Sequence, residues 1–361
     1  MIYTINFIYS ILCSYGFSKY YTLNKSCNII TYFIYLSPIW IIWLILCGGQ
    51  YYVGTDYPSY YSIFKSGDVA LFYNKNEILF AWIVELLHYT ELPPQTLYYV
   101  FYSICFTFFI LILRELNQKN TFIYILLYFT LSNLFHNQLN GLRQSIAIYI
   151  CTYATILLFS KHDKIKFILT LIFATTFHTS SLFIFPFIFI KQLKKNITPK
   201  LLYILLAIST LCAIFGSYNW IFNYLGFLIP PQYKFYLGGL FDSSVGFGAI
   251  VTKLVYVPIY ILTIKLYSKK NILTEQNKLI FLSGFCAYCF RLFFLQNMIF
   301  SRISDLFVLL SIFPIYYYLA YLYQNKKYFS LILLISYFSV FYLIKILLLP
   351  EKEYLYNSIY L

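Results

Sequence analysis

Long apolar runs separated by short polar breaks make up most of the chain. Each run comes close to the ~20 residues that a helix needs to cross a bilayer. Backbone groups inside a bilayer must be satisfied within the protein, which favours helices. The pattern therefore predicts an all-α polytopic membrane protein with about 10 to 13 transmembrane or re-entrant helices. We place the runs near residues 29–50, 97–113, 121–137, 142–160, 201–216, 250–267, 279–298, 304–323 and 328–349.

Clusters of Lys and Arg recur after every second run and predict the topology. Such clusters mark the cytoplasmic side of a membrane protein. The first run, residues 1–17, has Lys19 and Lys25 after it and no basic residue before it. It therefore predicts a retained anchor with an outer N-terminus. Further clusters near residues 114–119 and 161–166 are likewise predicted to lie on the cytoplasmic side, and they set the orientation of the helices that follow.

The run from residue 166 to 190 departs from this alternation, because lysines flank both of its ends. Both ends are therefore expected on the cytoplasmic side. Two crossings of ~20 residues each do not fit in the run, so we predict a helical hairpin that enters and leaves by one face. The hairpin would turn at FHTSS, with His178 at its tip.

Alternation resumes after the hairpin and leaves the C-terminus on the outer face. No soluble domain interrupts the runs, and no internal repeat is evident. Residues 1–361 are therefore expected to form a single integral membrane domain with outer loops near residues 51–96 and 217–248.

Composition supports the membrane class and narrows the chemistry. Hydrophobic residues make up 61% of the chain and charged residues 11%, which is too apolar for a water-soluble domain. A net charge of +14 would suggest nucleic-acid binding in a soluble protein. Here the basic residues fall at membrane boundaries, so we expect no nucleic-acid partner. With no nucleotide, HExxH or nicotinamide motif and a single CxxC among eight cysteines, we expect no metal and no cofactor.

The predicted topology gathers several charged residues on the outer face, and Arg143 is the most informative of them. It follows the polar break HNQLNG at the expected beginning of an outward-facing helix. Free N–H groups at a helix start and a planar guanidinium both favour phosphate. The alternative is an interface arginine whose charged end merely reaches water.

Two carboxylates belong to the first outer loop. Asp56 lies between Gly54 and Pro58 in a stretch rich in Tyr, and it could grip sugar hydroxyls or act as a base. The alternative is that Asp56 only caps or turns the loop. Glu77 precedes an apolar stretch that resembles an interfacial amphipathic helix, where it could do no more than favour the helix dipole.

His178 could move a proton near neutral pH, as histidine commonly does, or could be a packing residue in an apolar helix. Near the end of the chain, Arg302 is expected at an outer helix start, in the same setting as Arg143. The competing account pairs Arg302 with Asp305 on one helix face. Arg291 lies deeper in its run and is expected to face the same cavity.

The order of four motifs resembles that of EpsG-like, Wzy-type oligosaccharide repeat-unit polymerases. The motifs are GTDYPSYYSIF with a following NE, then GLRQSIA, FHTSSLFIFP and SRISDLF, over about residues 50 to 310. The resemblance implies a membrane glycosyltransferase architecture of the GT-C type. It also implies inverting, metal-independent transfer between undecaprenyl-diphosphate-linked oligosaccharides on the outer face of the bacterial cytoplasmic membrane. A flippase and a chain-length regulator would be partners of such an enzyme.

Carried onto this sequence, the resemblance assigns roles to the motif residues. Arg143 and Arg302, joined by Arg291, would hold the diphosphate leaving group. One of Asp56, Glu77 and His178 would activate the acceptor hydroxyl, and the residues leave that choice open. Two further motif residues, Tyr57 and Gln144, are expected to contact substrate.

Other activities fit part of the pattern. A flippase or transporter of lipid-linked sugars would share the many helices and the arginines, although repeat symmetry usually accompanies that class. A membrane O-acyltransferase would use His178 as its catalytic centre. A ligase that moves finished glycan to another lipid would differ from a polymerase only in its acceptor.

Overall fold

The computed structural model describes residues 2–23, 29–116, 118–216, 246–269, 272–348, 350 and 354–360. Most of the predicted outer loop at 217–248 lies outside these residues, as do Lys25 and Lys270. The described chain is helical, and its one strand-like pairing is an isolated antiparallel bridge between Gln50 and Ser358. It divides into two compact units, Met1–Phe185 with Leu319–Leu361, and Pro186–Tyr318.

The first unit contains the N-terminal helices and the last one. They are α1 (Ile2–Leu23), α2 (Ile29–Gly48), α3 (Tyr57–Ser66), α4 (Ala70–Asn74), α5 (Ile78–Tyr89), α6 (Gln95–Glu115), α7 (Thr121–Leu127), α8 (Leu134–Asn137), α9 (Leu142–Ser160), α10 (Lys164–Thr175) and, at its end, α19 (Tyr328–Leu347). A 3-10 segment, Thr179–Phe189, leads from this unit into the second.

The second unit contains the remaining helices. They are α11 (Ile190–Leu193), α12 (Pro199–Phe215), α13 (Phe247–Leu254), α14 (Val257–Tyr267), α15 (Glu275–Phe293), α16 (Met298–Asp305), α17 (Val308–Ser311) and α18 (Phe313–Gln324), of which α18 leads back into the first unit.

Several helices confirm the predicted membrane class. Those long and apolar enough to cross a bilayer, among the residues described, are Ile30–Gly48, Gln95–Glu115, Leu142–Ser160, Phe247–Tyr267 and Tyr328–Leu347. Shorter apolar helices accompany them. The chain is therefore an all-α, multi-pass membrane protein. The likeness to a GT-C architecture stays a prediction.

Some predicted runs are interrupted in the structure. After α7, residues 128–132 form a π-helical turn, and Asn133 adopts a left-handed conformation with φ of 54°. The run 304–323 is divided among α16, α17 and α18. Hydropathy alone could not place these breaks, since the residues around them remain apolar.

The break predicted at His178 is confirmed. The helix α10 has 12 residues, a length of about 18 Å, which is short of the ~30 Å hydrocarbon core. It ends at Thr175, and His178 lies in the turn before the 3-10 segment. The return of this segment to the same face stays a prediction.

Helices α2, α6, α9 and α10 pack in sequence to form the core of the first unit. Its centre is aromatic: the Trp43 ring stacks on Tyr128 at 5.0 Å between centroids. A buried hydrogen-bonded group accompanies it, since the Tyr149 hydroxyl donates to Gln138 Oε1 at 2.8 Å and contacts the Tyr128 hydroxyl at 2.6 Å. Such bonds join helices where no water can replace them.

The two ends of this core differ in character. At one end Lys161, after α9, pairs with Glu115, at the end of α6, at 2.8 Å. At the opposite end lie the beginnings of α6 and α9, together with the loop after α2. The C-terminal residues return to this second end, where Tyr51 N donates to Asn357 O and Ile359 N donates to Gly49 O, both at 3.0 Å.

Within the second unit, α15 packs against α12 and α17. Gly284 allows the close approach of α15 and α17, because a Cβ there would lie 2.4 Å from Leu310 O. The Tyr260 and Tyr288 rings stack face to face, with centroids 3.5 Å apart.

Candidate active site

Three of the predicted residues meet in the first unit around the carboxylate of Glu77. Glu77 Oε1 lies 2.8 Å from His178 Nδ1, and Glu77 Oε2 accepts a hydrogen bond from Arg143 Nη1. The Glu77 side chain is 1% exposed, whereas those of Arg143 and His178 are 20% and 22% exposed. A buried anion is thus bound on both oxygens by two side chains that open towards the surface.

Backbone contacts place Glu77 at this point. Asn76 has a φ of 58°, and Glu77 N donates to Phe72 O at 2.9 Å, which closes a tight turn before α5. The first N–H groups of α5, those of Leu79 and Phe80, donate to Thr176 O at 3.1 and 3.3 Å. These bonds satisfy groups that a helix start leaves unpaired, and they join α5 to the turn that holds His178.

Arg143 is the second residue of α9, so the prediction that it begins a helix is confirmed. Its Nε lies 3.4 Å from the Tyr60 hydroxyl, and its guanidinium carbon lies 4.7 Å from the Phe72 ring centroid and 5.6 Å from that of Phe80. An ion pair, a hydroxyl and two aromatic faces therefore fix the guanidinium. It is held by protein contacts rather than reaching freely into water.

Electrostatics keep the Glu77 carboxylate ionised. Burial alone would raise its pKa, but the His178 hydrogen bond and the Arg143 charge outweigh burial and lower the pKa below its ordinary value of 4.5. Burial raises the pKa of the neighbouring Tyr60 hydroxyl, which Arg143 offsets only in part. Tyr60 is therefore neutral and presents its oxygen to the cation.

The contact with Glu77 also determines the tautomer of His178. A carboxylate only accepts hydrogen bonds, so Nδ1 carries the proton and Nε2 of the neutral ring carries the lone pair. Ser181 Oγ and Ser181 N donate to His178 O at 2.7 and 3.0 Å and fix the turn behind the ring. An imidazole oriented by a carboxylate is a common form of general base.

Asp56 lies nearby but outside this ion-paired group. Its backbone N–H donates to Asn140 Oδ1 at 2.9 Å, and its carboxylate oxygen lies 3.5 Å from Thr55 Oγ1. Asp56 precedes α3, yet its side chain makes no capping hydrogen bond. The side chain of Asp56 therefore does not cap α3. A role only in turning the loop stays open, as does contact of the half-buried carboxylate with substrate.

The two predicted substrate contacts differ in exposure. Tyr57 is 1% exposed, and its hydroxyl donates to Gln95 Oε1 at 3.0 Å. Tyr57 therefore packs beneath the surface residues of its loop. Gln144 follows Arg143 on α9 and is half-buried. Its contact with substrate stays a prediction.

The remaining two arginines belong to the second unit. Arg302 is exposed, but the prediction that it begins a helix is wrong, because Asn297 caps α16 earlier by accepting from Phe300 N at 3.0 Å. Arg302 lies in the last turn of that helix. Asp305 lies 3.4 Å from Arg291 Nη2, so its carboxylate pairs with the buried Arg291.

Two further residues at the site are not apparent from sequence. Tyr60 is one of many tyrosines in its loop, and nothing in its spacing marks it as the partner of Arg143. Asn140 lies in the polar break, but its bond to Asp56 joins residues 84 positions apart. No group of three or more His, Cys, Asp or Glu side chains within the described ranges could hold a metal ion.

The fold and this cluster define a multi-pass membrane protein with a carboxylate-oriented histidine beside an arginine that can meet an anionic substrate. Comparison with protein families identifies it further. The chain belongs to the EpsG family, whose model matches residues 33–358, a range that includes every predicted site residue. Membership suggests a polysaccharide polymerase role. No curated protein and no solved structure matches the chain.

Proposed function

We propose that this protein polymerises undecaprenyl-diphosphate-linked oligosaccharide repeat units into a surface polysaccharide, O-antigen, capsule or exopolysaccharide. The transfer would be inverting and metal-independent, at the outer face of the bacterial cytoplasmic membrane, with a flippase and a chain-length regulator as partners. EpsG membership supports the polymerase role. The observation that carries the mechanism is the cluster of Glu77, His178 and Arg143.

In this mechanism His178 is the general base. Its Nε2 takes the proton of the acceptor hydroxyl as that oxygen attacks the anomeric carbon of the growing chain. Glu77 holds Nδ1–H at 2.8 Å, which orients the ring and stabilises the imidazolium that forms. Of the three candidate bases, His178 combines a ring nitrogen directed away from its partner with partial exposure. Glu77 is a positioning residue, because its carboxylate is buried and already bound on both oxygens.

The bond to the lipid diphosphate breaks as the new glycosidic bond forms on the opposite face of the anomeric carbon, which inverts its configuration. The diphosphate leaves with the bonding electrons, and negative charge develops on its oxygen. Arg143 stabilises that charge: a guanidinium has five N–H donors, of which Glu77 and Tyr60 engage two. The roles of Arg302 and Arg291 as diphosphate ligands stay predictions from the sequence.

Deleting the gene and profiling the surface polysaccharide by gel and mass spectrometry tests the proposal. Loss of long chains with single-repeat material retained is expected of a polymerase. Full-length chains that lack acetyl groups would indicate an acyltransferase. Lipid-linked units retained inside the cell would indicate a flippase, and normal lengths that fail to transfer would indicate a ligase.

A complementing gene with His178→Asn tests the mechanism. This variant keeps a side chain that can hydrogen-bond to Glu77 but provides no base. We expect protein in the membrane at wild-type level and no long chains. Normal chain lengths from His178→Asn would refute the role of His178.

A further inference from the structure

A layer of tyrosine rings lies beside the Glu77 cluster in the first unit. We call it the tyrosine platform, and its members are Tyr51, Tyr52, Tyr57, Tyr61 and Tyr98. Tyr57 is central: its ring stacks on Tyr98 at 4.8 Å and an angle of 5°, and lies 5.2 Å from Tyr52 and 6.2 Å from Tyr61. The outer rings of Tyr51 and Tyr52 are 42% and 55% exposed.

Backbone conformation indicates that the exposed position of Tyr52 is maintained against a local cost. Tyr52 has a φ of 53°, in a region that side chains other than Gly, Asn and Asp rarely adopt. Its ring is more than half exposed, so burial of the ring does not explain the conformation. Backbone strain of this kind is often associated with ligand sites.

The loop that carries Tyr51 and Tyr52 is supported from two sides. Gln95 Nε2 donates to Gly48 O and, at 2.7 Å, to Gln50 O. Ser358 Oγ from the C-terminal residues donates to Gly49 O at 2.9 Å. These bonds fix the backbone below the exposed rings, so the surface is formed before any ligand arrives.

The tyrosine platform adjoins the candidate active site through one short helix. Helix α3 carries Tyr57 in the platform and Tyr60 against Arg143, three positions apart, which places their Cβ atoms roughly 5–6 Å from each other. Gly54, with a φ of 77°, packs on Asn140, three residues before Arg143. The platform and the cluster are therefore neighbours on the same short helix.

We propose that the tyrosine platform binds pyranose rings of the glycan next to the scissile bond, with Tyr52 as its main contact. A pyranose has an apolar C–H face and a rim of hydroxyls, and a tyrosine presents an apolar ring face with a hydroxyl at its edge. The exposed rings of Tyr51 and Tyr52 suit this ligand without selecting one sugar. The inference rests on the proposed function, because it takes the glycan as the substrate of the adjacent cluster.

An interfacial tyrosine belt is the competing explanation, since tyrosines gather at membrane boundaries. A belt does not require the hydrogen bonds that fix the backbone beneath Tyr51 and Tyr52. Tyr89 provides a matched control: it is 83% exposed at the end of α5, outside the platform. A belt residue and a platform residue should respond differently to removal of the ring.

The test is saturation-transfer NMR on the full chain in nanodiscs, with lipid-free oligosaccharides prepared from the host's own surface polysaccharide as the probe. Tyr52→Gly removes the ring, and glycine accepts the positive φ, so the loop should keep its fold. We expect Tyr52→Gly to weaken oligosaccharide binding about tenfold and to shorten the chains made in cells, as loss of one aromatic contact predicts. Tyr89→Ala should bind as the wild type does.

Two further variants separate this inference from the proposed function. Arg143→Ala and His178→Asn should stop polymerisation yet still bind the lipid-free oligosaccharides, because the probe has no diphosphate and undergoes no reaction. Unchanged binding by Tyr52→Gly would overturn the platform even if His178→Asn abolished polymerisation. Absence of wild-type binding at millimolar oligosaccharide would overturn it as well. Normal chain lengths from His178→Asn would instead refute the proposed mechanism and leave the binding result to stand alone.

Discussion

Replacing Glu77 with glutamine isolates the charge at the centre of the cluster. The amide has nearly the volume of the carboxylate and can still accept a hydrogen bond from His178, but it leaves Arg143 without its counter-charge. Removing one partner of a buried ion pair lowers the free energy of unfolding by about 3–5 kcal/mol. Arg143 is 20% exposed and keeps Tyr60 and two aromatic faces, so we expect a loss near the lower end, about 3 kcal/mol.

The same substitution should reduce activity beyond its effect on stability. A neutral amide cannot stabilise the imidazolium that forms when His178 takes a proton, and it permits the opposite tautomer. General base catalysis contributes ~10²–10⁴ in rate. We expect Glu77→Gln to lower chain elongation by about that factor, so that complemented cells make single repeats and few long chains.

The assay combines two measurements on the same cells. Polysaccharide ladders report elongation, and fluorescence-detected size-exclusion chromatography after heating reports stability of the full chain. Glu85→Gln is the matched control, because Glu85 lies on the same helix, outside the cluster, and accepts a hydrogen bond from the Tyr73 hydroxyl at 2.6 Å. Wild-type ladders together with unchanged thermal stability in Glu77→Gln would show that the buried ion pair has no role.

Three other changes test separate contacts. Arg143→Lys keeps the positive charge but loses the planar guanidinium that contacts Glu77 and Tyr60 together. We expect stable protein and polysaccharide ladders weaker by about tenfold or more, whereas Arg114→Lys should give wild-type ladders. Because folding lowers the pKa of Glu77, the ionised carboxylate contributes stability above pH 4.5, and this stability is lost as the pH falls through the lower pKa of the folded state. Below pH 4.5 the melting temperature of the wild type should therefore fall more steeply than that of Glu77→Gln. Gly54→Ala forces a Cβ to within 2.8 Å of Asn140 Oδ1 at a φ of 77°, and should cost about 1–2 kcal/mol and weaken elongation. Gly16→Ala is the control, because a Cβ at this position in α1 meets nothing within 4 Å, and it should lower neither thermal stability nor elongation. A loss equal to that of Gly54→Ala would contradict the steric explanation.

Hydropathy and charge predict much of this fold because the bilayer imposes one simple rule on each helix. The observed α2, Ile29–Gly48, and α9, Leu142–Ser160, match the predicted runs within two residues. The rule does not describe breaks caused by single hydrogen bonds. Asn297 illustrates this, because its capping bond begins α16 before Arg302 and moves that arginine to the other end of the helix.

Three members of the candidate site are predictable from sequence, but their arrangement is not. Arg143 and His178 interrupt apolar stretches and Glu77 directly precedes one, which makes all three visible as costly residues. Their contacts join positions 66 and 101 residues apart, and no local pattern encodes such pairs. For the same reason the sequence leaves the choice among the three candidate bases open, whereas the structure separates a buried, doubly bound carboxylate from a partly exposed imidazole.

The cost of burying Glu77 explains why these residues occur together. A lone carboxylate at 1% exposure would be strongly destabilising, and Arg143 and His178 compensate it while remaining partly exposed themselves. The anion therefore holds a cation and a proton acceptor at fixed positions along one edge of the unit. The proposed inverting transfer uses both groups, one for the departing diphosphate and one for the acceptor proton. A single buried charge thus supplies the orientation of both, which is why removing it should impair the two roles together.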